Sequence, residues 1–331
     1  MKRYLAVPTP LFAYRFRCPR SIDKSPVESY RWGMYHIGAH TSIAGGLENA
    51  LLEARSLNAT ALGMFTKNQK RWDARPIETE EADRFAEVMR DTGFGSDRIL
   101  IHGSYLINLG NPDPEKQKRS IRATADELGR AERLGLKLVN VHPGSTLGLV
   151  PKEEGVRIVA RGIDEALDRT GSAILVIENT AGSGSNLGST IEELAGILEA
   201  VKRRGRLGFC LDTCHAHVAG YDLSTVEGFE QLIDRFDRLI GLSFLRGLHL
   251  NDAASETGSR RDRHASLGRG TIGWATFEYI VQDPRFAGIP LILETPDSSI
   301  WGEEIAHLHA LAFKNRACEV YLPKRRSRCS T

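Results

Sequence analysis

No apolar run in the 331-residue sequence approaches 18 residues, so no segment has the pattern of a membrane-spanning helix. Cysteine is scarce: Cys18, Cys210, Cys214, Cys318 and Cys329 are an odd number without regular spacing, unlike the dense framework of a secreted mini-domain. A reducing, cytoplasmic compartment is the expectation. Net charge is also nearly absent, with 44 Lys+Arg against 42 Asp+Glu. The hydrophobic and charged shares, 41% and 26%, are those of a globular chain, which excludes a disordered, collagenous or coiled-coil one. A chain of this length can bury about three quarters of its unfolded surface, as one large α/β domain or two small ones.

The small net charge hides an uneven distribution. Residues 1–33 carry net +5 and residues 314–331 carry net +5, which leaves −8 for the body between them. An acidic body that meets a polyanion needs basic loops or bound cations to offset the repulsion. The start Met1-Lys2-Arg3 suggests a signal sequence, but Pro8 and Pro10 break the apolar stretch, and Arg15, Arg17 and Arg20 occupy the place of a cleavage region. Residues 1–33 therefore read as a basic extension, or translation starts at Met34. Residues 314–331 read as a basic tail.

Between Met34 and Phe313, short apolar runs alternate with amphipathic stretches, the pattern of βα units around a parallel sheet. Strands are expected at 35–38, 61–65, 98–102, 137–142, 173–178, 207–212, 246–250 and 290–294. Helices are expected to fill the gaps between strands, for example at 46–57, 80–92, 116–134, 152–169, 191–203 and 226–240, from their i, i+3, i+4 apolar spacing. Eight such units in about 280 residues fit a single (β/α)8 TIM barrel spanning residues 34–313.

Six of the expected strands end at a metal-ligand type of residue: His102, His142, Glu178, Asp212, His249 and Glu294. One such residue alone reads as a hydrogen-bonded strand cap. Six in phase, at intervals of 34 to 45 residues, converge on the C-terminal rim, where barrels of this kind build their active sites. Asp262 and His264 in the polar loop after His249, and His215 one turn beyond Asp212, enlarge the set. Carboxylates gathered in a low-dielectric rim demand compensating cations. Five imidazoles and four carboxylates without a suitable thiolate favour Zn, Mn or Fe over Ca or Mg. Nine ligands exceed one tetrahedral ion and suggest two or three, an arrangement suited to phosphoester hydrolysis.

Two segments suit nucleic acid. The run from Phe65 to Trp72 combines Lys67, Asn68, Gln69, Lys70 and Arg71 with a terminal aromatic, and Tyr105 with Leu106 follows shortly after His102. Arg260, Arg261 and Arg263 surround Asp262 and could meet phosphates. Gly268, Gly270 and Gly273 match GxGxxG but follow a polar loop in place of a strand, so the match reads as accidental. Cys210 and Cys214 read as core residues, His307 and His309 as surface residues, and His40 as a rim residue that need not bind metal.

The strings GAHTSIAGGLENA, FTKNQKRW, HGSYLINLGNP, VHPGS, VIENTAGSGSNLG, LDTCHAHVAGYD, HLNDAASETGSRRDRH, SLGRGTIG and LILETP, in this order through residues 34–313, closely resemble the endonuclease IV type of apurinic/apyrimidinic (AP) endonuclease. The resemblance implies a (β/α)8 barrel with a trinuclear zinc site, and the ligand types also admit Mn2+ or Fe2+. It also implies cleavage of duplex DNA 5′ to an abasic sugar and removal of 3′ blocking groups. Carried over by motif, His102, His142 and Glu178 hold the first zinc; the same Glu178, Asp212, His249 and Glu294 hold the second; His215, Asp262 and His264 hold the third. Glu178 and Glu294 are the implied catalytic residues, the latter orienting or deprotonating the attacking water. Tyr105 and Leu106 match the family's DNA-penetrating pair, whereas Lys70 stands where the family commonly has arginine and lacks its planar fork.

The chain is expected to act as a monomer on DNA with abasic sites or blocked 3′ ends, with no membrane partner. Its main rival reading is a metal-dependent sugar isomerase or epimerase, which needs one or two ions and no duplex-wedging loops. A non-enzymatic DNA-binding role through the basic ends is the third.

Overall fold

A computed structural model describes residues 35–314, so the basic extension 1–33, the tail beyond 314 and Cys18, Cys318 and Cys329 lie outside the described residues. Eight parallel strands close into a barrel: β1 (His36–Thr41), β2 (Ala61–Met64), β3 (Ile99–His102), β4 (Leu138–Val141), β5 (Ile174–Glu178), β6 (Leu207–Asp212), β7 (Leu245–His249) and β10 (Pro290–Leu293). Neighbours pair in chain order, and β1 closes on β10 with Ile37 opposite Leu291. The expected (β/α)8 architecture is the observed one.

The period-2 alternation of a strand carries the design. Leu100, Val176 and Cys210, each two positions before its strand's end, and Leu138, four positions before His142, form a small inner apolar cluster, with the residues that follow in phase above it at the rim. The intervening residues, among them Ile101, Val139, Ile177 and Phe209, face outward and are buried in the larger core beneath the helices.

The crossover helices are α1 (Asn49–Ser56), α2 (Thr79–Thr92), α3 (Pro114–Arg133), α4 (Lys152–Asp168), α5 (Ile191–Ala200), α7 (Val226–Leu239), α8 (Trp274–Ile280) and α9 (Trp301–Lys314). Local chemistry sets their ends. The Asp113 carboxylate accepts from the Glu115 and Lys116 amides with Pro114 in the first turn of α3, and Thr190 and Thr225 cap α5 and α7 in the same way.

Three elements escape the sequence pattern. The short helix α6 (Thr213–Ala219) follows β6 directly, and the polar loop 251–273 contains an antiparallel two-residue ladder, β8 (Asp252–Ala253) with β9 (His264–Ala265). Each is too short for a periodicity to declare itself. His309 is also corrected: it is buried in α9, which pushes its imidazole down to about 4, while His307 is exposed and packs edge-on to Trp274.

Candidate metal centre

At the C-terminal rim the nine sequence-derived positions fall into three groups whose ligand atoms lie within 4.8 Å of one another: His102, His142 and Glu178; Glu178, Asp212, His249 and Glu294; and His215, Asp262 and His264. Glu178 is common to the first two. It is fully buried, with Oε2 3.3 Å from His142 Nε2 and 3.6 Å from His102 Nε2, and Oε1 3.1 Å from His249 Nδ1. Asp212 serves twice: one oxygen accepts from the His215 amide and starts α6, and the other accepts from Asn251 Nδ2 at 2.6 Å. That cap explains the three-residue spacing, because it places His215 on the first turn of α6 beside its neighbour's carboxylate.

The hydrogen bonds behind the histidines decide which nitrogen faces the centre. His102 Nδ1 donates to Gly103 O (2.8 Å), His215 Nδ1 to Asn179 O (3.0 Å) and His264 Nδ1 to Glu294 O (3.1 Å). A carbonyl only accepts, so in each ring Nδ1 carries the proton and the neutral imidazole turns an Nε2 lone pair toward carboxylate oxygens. His215 Nε2 lies 3.2 Å from Asp262 Oδ2, and His264 Nε2 lies 3.4 Å from Asp262 Oδ1 and 3.7 Å from Asp212 Oδ2. The His264 Nε2 is buried without a hydrogen-bond partner. Lone pairs facing lone pairs repel unless a cation stands between them.

Protons fill that role in the protein alone. Burial would raise the Glu178 carboxyl, yet His249 and His142 outweigh it and hold the group well below the carboxylate range. Burial likewise opposes charge on His215, but Asp212, Asp262 and Glu178 lift its imidazole well above the ordinary value. The centre thus attracts positive charge, and its spacing suits metal ions. Bonds of about 2.1 Å in a tetrahedron place ligand atoms about 3.4 Å apart, and the contacts just given run from 3.1 to 3.7 Å. The residues fit divalent cations.

Sequence reasoning missed the amides behind the ligands. Asn140, two residues before His142 and so on the same inward face, donates to Glu178 Oε2. Asn179 bonds Asp212 through both its donor and its acceptor, and Asn251 receives the Glu294 amide at 2.9 Å. Cys214 also lies within 4.8 Å of ligand atoms of Asp212 and His264, but burial raises its thiol far above the neutral range, and Sγ faces Arg263 O. It remains the core residue expected.

GxGxxG has a structural explanation. The buried Asp252 carboxylate accepts from the amides of Ala253 (2.8 Å), Gly268 (2.9 Å), Gly270 (3.1 Å), Ile272 (2.9 Å) and Gly273 (3.3 Å). The glycines wrap an internal carboxylate in the way such loops wrap phosphate. A Cβ on Gly270 would lie 2.3 Å from Ala253 O, and one on Gly268, at φ +72°, would lie 2.0 Å from Trp274 Nε1.

Tyr105 is 58% exposed at the rim, its ring 5.3 Å from His102 and edge-on to Phe65, and Leu106 beside it is half-buried. Lys70, Arg260, Arg261 and Arg263 are exposed. Lys67 is not: its ammonium is buried against Asp126 (2.5 Å) and Glu127 (3.3 Å), anchoring the loop to α3. Trp72, half-buried, is covered by Arg119, 4.3 Å above its ring. The donors of that loop free to meet a ligand are therefore fewer than its sequence suggests. A cavity of about 240 Å³ opens beside the centre, lined by His102, Tyr105, Asn108, His142, Ser145 and Asn186 among others.

A family model described as a xylose isomerase-like TIM barrel matches residues 51–311. A protein of Chlorobium phaeovibrioides described as probable endonuclease 4 is 50% identical over 278 residues, covering 84% of this chain and 100% of that one. The crystal structure of endonuclease IV from Thermus thermophilus superposes with a TM-score of 0.74 at 35% identity, covering 85% and 99% of the two chains. A D-tagatose 3-epimerase-like protein reaches a TM-score of 0.61 over 85% of this chain and 99% of its own at 16% identity, a likeness of fold alone.

Proposed function

Because the chain belongs to the endonuclease IV family of AP endonucleases, within the xylose isomerase-like TIM barrels, we propose that it is a zinc-dependent DNA-repair phosphodiesterase. It hydrolyses duplex DNA 5′ to abasic sites and removes 3′ blocking groups. The observation that carries this reading is the meeting of nine ligand-type side chains in three groups, two of which share Glu178, with imidazole lone pairs facing carboxylates. His102, His142 and Glu178 would hold one ion; Glu178, Asp212, His249 and Glu294 a second; His215, Asp262 and His264 a third. When bound, Zn2+, or Mn2+ or Fe2+ in its place, would supply Lewis-acid activation of water and neutralise charge on the phosphate and the departing 3′ oxygen.

The chain's own residues do the rest. Glu294 orients or deprotonates the attacking water; Glu178 keeps two of the groups in register. Tyr105 and Leu106 press into the base stack, and Lys70, Arg260, Arg261 and Arg263 meet backbone phosphates. Selectivity follows from extrusion: an abasic sugar has no base to unstack, so turning it out of the helix costs least. We place this activity in a monomeric catalytic domain of residues 34–313, flanked by basic extensions, and in the cytoplasm. Among the described residues no helix is long and apolar enough to cross a membrane.

The test is a pair of labelled duplexes identical except for one abasic analogue. Incision immediately 5′ of the analogue, leaving a 3′ hydroxyl, with the unmodified duplex cut at least a hundredfold more slowly, is the expected result. Equal cleavage of the two rejects the specificity; intact DNA together with epimerisation of a ketose rejects the nuclease reading.

A further inference from the structure

His40 lies at the end of β1 as the ligand-type residues lie at the ends of their strands, yet it belongs to none of the three metal-candidate groups. Its Nδ1 lies 2.9 Å from Glu294 Oε1, across 254 residues of chain. The other oxygen, Oε2, lies 3.4 Å from His249 Nδ1, on the side of the ligand cluster. The Glu294 main chain is fixed separately, its amide by Asn251 and its carbonyl by His264. Those bonds leave the carboxyl torsions unconstrained, and among the described residues His40 supplies the hydrogen bond to the carboxylate itself. The His40 ring is held by Phe65, 4.5 Å away, and by His102, 5.9 Å away. Its Nε2 is buried without a hydrogen bond.

Resting on the nuclease reading, we propose that His40 is a positioning residue that claims one Glu294 oxygen and thereby commits the other to the metal cluster. The geometry requires Nδ1 to donate, since a lone pair there would face the carboxylate. The contact is therefore specific to Nδ1: a donor placed at the far side of the ring would miss Glu294. A free Glu294 could turn, engage through both oxygens or leave the centre, and the attacking water would lose its fixed neighbour. Removing a partner of this kind commonly costs 10–100-fold in metal affinity or activity.

The test compares His40→Asn, His40→Gln and His40→Leu. An asparagine amide nitrogen reaches close to the Nδ1 position; a glutamine amide extends toward Nε2. The Leu and Gln variants are expected to lose about 10–100-fold in turnover with KM nearly unchanged, and the Asn variant to recover most of it. A second readout avoids catalysis: in the Co2+-substituted protein, the visible absorption bands shift in Leu and Gln and return toward wild type in Asn. Should Leu fail to fold, the Asn and Gln pair carries the comparison. Turnover and spectrum unchanged in Leu or Gln, or equal impairment in Asn and Gln, overturns the proposal. If wild type leaves abasic DNA intact, the nuclease reading falls while the cobalt spectra still judge the His40–Glu294 contact.

Discussion

Glu178→Gln lowers the single-turnover rate of abasic-duplex incision by about a thousandfold or more while the protein keeps its barrel. The substitution preserves shape and removes charge at a fully buried carboxylate that the His102/His142 group shares with the Asp212/His249/Glu294 group. Oε1 also lies 3.3 Å from His215 Nδ1, so four imidazoles, those of residues 102, 142, 215 and 249, converge on this side chain. An amide supplies one acceptor and an NH2 where an anion is needed, and it weakens two sites together. Metal ions contribute several kcal/mol to the stabilisation of charge in such reactions, and about 4 kcal/mol corresponds to about a thousandfold in rate. Rapid-quench kinetics with metal analysis of the same preparation checks the prediction. A rate within threefold of wild type would remove Glu178 from the centre.

Asp252→Ala destabilises the protein by about 3–5 kcal/mol, measured by urea denaturation at neutral pH. Five backbone amides donate to this carboxylate, and a hydrogen bond to a charged group contributes roughly 1.5–3 kcal/mol. The contributions do not add, because water recovers the donors nearest the surface, so the sum is well below five times the single value. The loop so released also carries Asp262 and His264, which predicts weaker binding of the third ion. Asp252→Asn, which retains one good acceptor, falls between. A loss under about 1 kcal/mol for the alanine variant would mean the cradle is incidental.

The sequence makes the barrel legible because inward and outward positions alternate with a fixed period, so residues such as Leu138, Asn140 and His142 announce their face by their spacing. The ligand types at successive strand ends become one cluster as soon as the strands close. Contacts between distant segments carry no such signal. Asp252 lies 16 to 21 residues before the glycine-loop amides it binds, and nothing in the intervening polar loop indicates that an acid will fill a phosphate-like nest. Lys67 sits in a run that reads as exposed and basic, but its partners, Asp126 and Glu127, lie about 60 residues away on α3. His40 resembles the strand-closing ligands in every local respect. Its partner lies at the opposite end of the barrel sequence, and only closure of β1 on β10 brings them together.

Nine side chains holding three divalent cations is the centre of the proposed function, and the metal content of the chain tests it most directly. Protein reconstituted with zinc and freed of excess should retain three equivalents per chain by plasma mass spectrometry, falling to two when Asp262 and His264 are both replaced by alanine. One equivalent or none in the wild-type chain, or an unchanged count in the double variant, would contradict it.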